Sequence, residues 1–134
     1  MLRPVFNWNW AAAFAAVLAT VACATADAAE IEDMLGRWSA GLADDCLQPA
    51  NSEAAPFAIS KDGQGTHFGT YGWLCTVSSW TADGQFLKGS GECASEGGDD
   101  PSADEFRIGL AADGQLVLAS RASISVYQRC KAGK

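Results

Sequence analysis

Beyond residue 36 the apolar positions recur every second residue, in short runs cut by glycine. That spacing is the signature of half-buried strands, not helices. The clearest run is 104–110. Phe106, Ile108 and Leu110 share one face, and Glu105, Arg107 and Gly109 share the other. In 73–80, Trp73, Cys75 and Val77 fall on one side and Leu74, Thr76 and Trp80 on the other. Further strands are expected over 36–40, 56–60, 65–71, 85–93, 115–121 and 123–130. Only the run EIEDML at 30–35 suits a helical turn, as a lead-in to the first strand. Asp-Gly-Gln occurs at 62, 83 and 113, always between apolar runs, and reads as one favoured turn used three times. The expected fold is all-β: a small antiparallel β-barrel or sandwich of about eight short strands. A closed barrel removes exposed strand edges, and 14 glycines suit its sharp bending.

The first 28 residues do not fit this pattern. Arg3 is the only charged side chain before Asp27, and 11–22 is apolar apart from Thr20. Small residues follow, in CATADAAE. A positive start, a short apolar run and a small-x-small site make a secretory signal peptide. Ala26-Asp27-Ala28 fits the cleavage pattern and leaves a secreted domain over 29–134; Ala24-Thr25-Ala26 is a second option. A permanent membrane helix wants about 20 apolar residues. The stretch 10–26 falls short and has no basic stop, so no stable span is expected after signal removal. Cys23 suggests lipidation, but Thr20 stands where a lipoprotein signal carries Leu; the plainer reading discards Cys23 with the signal. The expected location is periplasmic or secreted.

At 134 residues the chain holds one domain, and 49% apolar with 19% charged residues is globular. The net charge is −7. Nucleic acid is therefore not expected as a partner, because a duplex binder needs a basic face to replace phosphate counterions. Polybasic attachment to anionic lipid is excluded on the same ground.

Without the signal, four cysteines remain: Cys46, Cys75, Cys93 and Cys130. In an oxidising compartment that implies two disulfides, with three formal pairings. Asp83-Gly84 is a hairpin signal between Cys75 and Cys93. A strict two-residue turn there would oppose Cys75 to Glu92, one step out of register, and a bulge would absorb the difference. Cys46 then pairs with Cys130 by elimination. Zinc is not expected, since no C-x-x-C pair is present.

Candidate chemistry is sparse. Glu92, Glu96, Asp99, Asp100, Asp104 and Glu105 crowd fourteen residues. Carboxylates are calcium donors, but the EF-hand order is absent. The expectation is a solvated acidic loop; the alternative is that it steers a basic partner, with Asp99 and Asp100 as candidate contacts. Trp73, Trp80 and Tyr71, with His67 nearby, form an aromatic cluster that is either core or a partner-binding surface. His67 is the only histidine, and no Gly-x-Ser-x-Gly accompanies it. No catalytic residue, cofactor or metal is assigned.

Gly36 and Trp38, Cys46, Cys75, the run 93–97 (CASEG), the run 113–116 (DGQL) and Arg129-Cys130 form a layout that resembles a group of small four-cysteine exported proteins of proteobacteria. The resemblance spans nearly the whole mature chain. It implies an oxidised periplasmic β domain and brings no established activity. Lipocalin-like barrels also begin with Gly-x-Trp, which implies that Trp38 packs across a closed barrel end. Periplasmic inhibitors of lysozyme and of metalloproteases use small eight-stranded barrels too. The Ser-Gly-x-x-Tyr and Thr-Lys-Gly elements of the lysozyme inhibitors are absent here. The expected function is non-catalytic binding, either of another envelope protein, as an inhibitor does, or of a small apolar ligand in the barrel mouth. The alternatives are a structural envelope component, or a hydrolase using carboxylates of the acidic loop.

Overall fold

The structure, a computed structural model, describes residues 29–41, 45–98 and 100–131. The expected signal peptide (1–28), Cys23 and Asp99 lie outside the described residues. A 3₁₀ turn over Ile31–Met34 leads in, where EIEDML predicted one. Then come β1 (Gly36–Ser39), a second 3₁₀ turn (Asp45–Leu47), β2 (Phe57–Asp62), β3 (Gly65–Thr70), β4 (Trp73–Val77), β5 (Thr81–Asp83), β6 (Phe86–Ser95), β7 (Ser102–Leu110), β8 (Leu116–Ala119) and β9 (Ile124–Arg129). All pairings are antiparallel. Neighbours in the ring follow chain order, β1-β2-β3-β4-β6-β7-β8-β9, and β9 returns to β1. The fold is a closed eight-stranded barrel, not a sandwich. β5 stands outside the ring as a short flap on the first half of β6. Among the described residues no helix is long and apolar enough to cross a membrane.

Asp-Gly-Gln marks three turns as expected. Asp62 Oδ1 accepts the Gln64 amide at 2.8 Å, and Asp113 Oδ1 accepts the Gln115 amide at 3.0 Å. At the third copy, Asp83 pairs with Phe86 across Gly84-Gln85, with Gly84 at φ +62°. This register alone would carry Cys75 opposite Ala94. One extra residue in 78–80 moves the ladder back by one, so Cys75 faces Cys93. The disulfides are Cys75–Cys93 and Cys46–Cys130.

That extra residue also corrects the expectation that Trp73 and Trp80 occupy opposite faces. It turns Trp80 inward, and both rings lie 6.3 Å from Phe68. Trp80 Nε1 donates to Thr66 Oγ1 at 3.0 Å, which satisfies its polar end in the wall. Gly89 makes the room: a Cβ there would stand 2.8 Å from Trp80 Cε3 and 2.6 Å from Val77 Cγ1.

The core runs through Trp38, Phe57, Ile59, Phe68, Val77, Phe106, Ile108, Leu116 and Leu118. One end is plugged by the first 3₁₀ turn, whose Ile31 and Met34 are buried. Trp38 lies under that plug and donates from Nε1 to Met34 O at 2.9 Å. The Arg129 guanidinium sits 4.2 Å from the Trp38 ring centre and donates to the carbonyls of Leu35 and Asp33. The Gly-x-Trp tryptophan thus occupies a closed barrel end. β9 reverses the usual polarity. Ser125 and Tyr127 face the lumen, Tyr127 stacking on Phe57 at 4.5 Å, while Ile124 and Val126 are exposed.

Candidate functional site

The lumen leaves little space for a ligand. Trp38, Phe57 and Phe106 are buried in it. At the end opposite the plug, a hollow of about 90 Å³ remains among Trp73, Asp104, Phe106, Leu118 and Tyr127, with three serines on its rim. Ligand pockets for organic molecules usually measure about 300–1,000 Å³.

A more open space lies outside, on the face of β1–β4. The register places Arg37, Ala58, Gly69 and Leu74 side by side across four strands. Their side chains point outward, because Trp38, Phe57, Phe68 and Cys75 beside them point in. The two middle positions have almost no side chain, and a trough of about 450 Å³ opens over them. Gly69 is needed for a second reason: a Cβ there would meet Trp73 O at 2.1 Å. Tyr71 and Leu74 wall one side, 44% and 51% exposed. Ala50, Ala55 and Pro56, from the loop before β2, wall the other. That loop is folded on itself by two backbone bonds, Ser52 N to Pro49 O and Ala55 N to Ser52 O.

His67 stands at one end of the trough. Its Nδ1 lies 3.0 Å from Thr76 Oγ1, and its Nε2 lies 2.9 Å from Asp62 Oδ2. The second contact is off the N–H axis, so Nε2 has proximity to the carboxylate without an aligned hydrogen bond. The His67 side chain, backed by the Gln64 amide, holds the Asp62 carboxyl below its ordinary value. Carboxylate, imidazole and hydroxyl are the ingredients of a nucleophilic relay. Thr76, however, lies on a strand laddered on both sides, to β3 and β6. The strand amides around it are engaged in those ladders and do not form a donor pair for an oxyanion. The arrangement fixes the imidazole at the trough edge.

The acidic residues expected to act together are dispersed. Asp104 and Glu105 leave the loop for β7 and face Arg121 at 3.9 Å and Lys88 at 3.5 Å. Asp100 is exposed in the β6–β7 loop, and Glu96 is tied to the β3–β4 turn by its amide on Gly72 O at 2.8 Å. Among the described residues no three His, Cys, Asp or Glu side chains converge as a metal site. Of the aromatic candidates, Trp73 and Trp80 pack against the core, and Tyr71 remains on the surface. Leu74 and Arg37 join Tyr71 there, and the sequence reading had not singled them out. Strand parity was the available signal: each sits beside an inward-facing core residue.

No family model, curated protein or solved structure matches this chain.

Proposed function

We propose that this is an exported, non-catalytic binding domain of the cell envelope, and that it docks another protein on the outer trough of β1–β4. The observation that carries this reading is the contrast between a filled lumen and an open exterior. Aromatic and apolar side chains exposed beside a concave floor are the usual anchors of a protein interface. The two disulfides suit an oxidising compartment. The filled lumen weighs against the alternative of an apolar ligand carried inside.

The test is affinity capture from periplasmic extract with the oxidised protein, run beside a Tyr71→Ala/Leu74→Ser variant. One protein retained by the parent and lost from the variant is the expected result. Identical retention by both, or none, overturns the reading. Thermal unfolding of the variant within a few degrees of the parent keeps the comparison valid.

A further inference from the structure

Seven lysines and arginines lie among the described residues: Arg37, Lys61, Lys88, Arg107, Arg121, Arg129 and Lys131. Four of them face a carboxylate: Lys61 with Glu32, Lys88 with Glu105, Arg107 with Asp83 and Arg121 with Asp104. The other three line one hollow of about 580 Å³ beside the Cys46–Cys130 disulfide. Among the described residues none of those three pairs with a carboxylate, in a chain with 16 acidic residues against 9 basic ones.

Two of the three cations are held in place. The Arg37 guanidinium donates to Gln48 O. That of Arg129 is held by the Leu35 and Asp33 carbonyls and by the Trp38 ring. Carbonyl partners fix the two forks in place but leave each full positive charge unneutralised. Such forks match carboxylate geometry, and holding them beforehand lowers the entropy lost on binding. Asp45, the acid beside Cys46, is buried and turned away, its Oδ2 accepting from Ser39 Oγ at 2.9 Å and the Ala40 amide at 3.1 Å. Leu47, 77% exposed, gives the hollow an apolar wall. The hollow and the trough share Gly36 and Arg37, so one bound segment can run through both.

We infer that the hollow of Arg37, Arg129 and Lys131 is an oxyanion site that takes a carboxylate of the docked protein, carried next to an apolar residue that rests on Leu47. This rests on the docking reading above and adds the chemistry of the partner: an extended apolar segment with an acidic residue at one end.

The experiment is an NMR titration of isotope-labelled, oxidised protein with two peptides, acetyl-Leu-Phe-Ala-Leu-Glu-amide and its Gln-ended twin. The Glu peptide is expected to move the amides of Arg37, Leu47, Cys130 and Lys131. The Gln peptide should bind on the order of tenfold more weakly, as loss of a charge-assisted contact requires. Lys131→Glu, a surface change, should weaken the Glu peptide by a similar factor and leave the Gln peptide unchanged. Equal affinity of the two peptides overturns the inference, as does indifference to Lys131→Glu. Binding to phosphatidylglycerol vesicles with no response to either peptide also overturns it. Affinity capture separates the two readings: a partner held equally by the parent and by Lys131→Glu ends this inference and leaves docking intact. Glu-peptide binding at the hollow without any captured partner overturns the docking reading and with it the protein partner, leaving only the hollow's affinity for a carboxylate.

Discussion

The β4–β6 seam and the β1–β9 seam close the same barrel by different means. β4 and β6 are joined by a hairpin, share five residue pairs and carry their disulfide inside the core. β1 and β9 come from opposite ends of the domain and share two pairs, Trp38 with Arg129 and Ser39 with Gln128, extended by the Cys130 amide on Arg37 O. Their disulfide, Cys46–Cys130, lies beside the seam and reaches the second 3₁₀ turn. The first seam is specified locally, because the turn and the extra residue in 78–80 dictate its register. The second must recover the entropy of closing nearly the whole domain with a very short ladder. It does so with a covalent bond and with one arginine that reaches the plug and the Trp38 ring.

Cutting each disulfide separately tests the two seams most severely. Cys46→Ser/Cys130→Ser opens a loop of 84 residues and should cost about 4–5 kcal/mol in urea unfolding. Cys75→Ala/Cys93→Ala opens one of 18 and should cost about 3 kcal/mol. A reversed order would show that the local seam, not the terminal one, depends on its staple. Arg129→Ala removes two carbonyl contacts and the cation over Trp38, for an expected loss of about 2–3 kcal/mol. Arg129→Lys should recover less than half, since an ammonium cannot span both carbonyls. Gly89→Val probes the β4–β6 seam. It drives a side chain into Val77 and Trp80 and should cost about 1–3 kcal/mol, with a shift in Trp80 fluorescence.

The smallest expected effect is in acid. Lys61 holds the Glu32 carboxyl below its ordinary value of 4.5, and His67 holds that of Asp62 below 3.8. Each depressed group adds stability that is present above its ordinary value and is lost as pH falls through its lower folded value. Melting temperature should therefore begin to fall below about pH 4.5. Glu32→Gln/Asp62→Asn should flatten that fall slightly, because both carboxyls are exposed. An unchanged acid profile in the double variant would assign the fall to other carboxylates.

Much of the barrel was legible as period-two alternation. The run 104–110 gave its buried face directly, since Phe106 and Ile108 are core, and the turns at 62, 83 and 113 were visible in their own residues. Two strands depart from simple apolar-in, polar-out alternation. In 73–80 an unpaired residue reverses parity between Val77 and Trp80, and nothing local announces it. In β9 the apolar Ile124 and Val126 point outward, because register is inherited from Arg129 against Trp38 and from Tyr127 on Phe57. The trough was hidden because its floor is defined by what Ala58 and Gly69 lack. The cationic hollow was hidden because Arg37 and Lys131 lie 94 positions apart in the chain.

The residues alone specify short strands, their Asp-Gly-Gln turns and an even set of four cysteines for two disulfides. Those depend on short-range alternation and on the number of cysteines. Closure of the sheet, the filling of its lumen, the choice of sulfur partners and the meeting of Arg37, Arg129 and Lys131 on one outer face belong to the three-dimensional packing. Closure sets which side of each strand is inside, and one residue more or less in any strand exchanges core for surface.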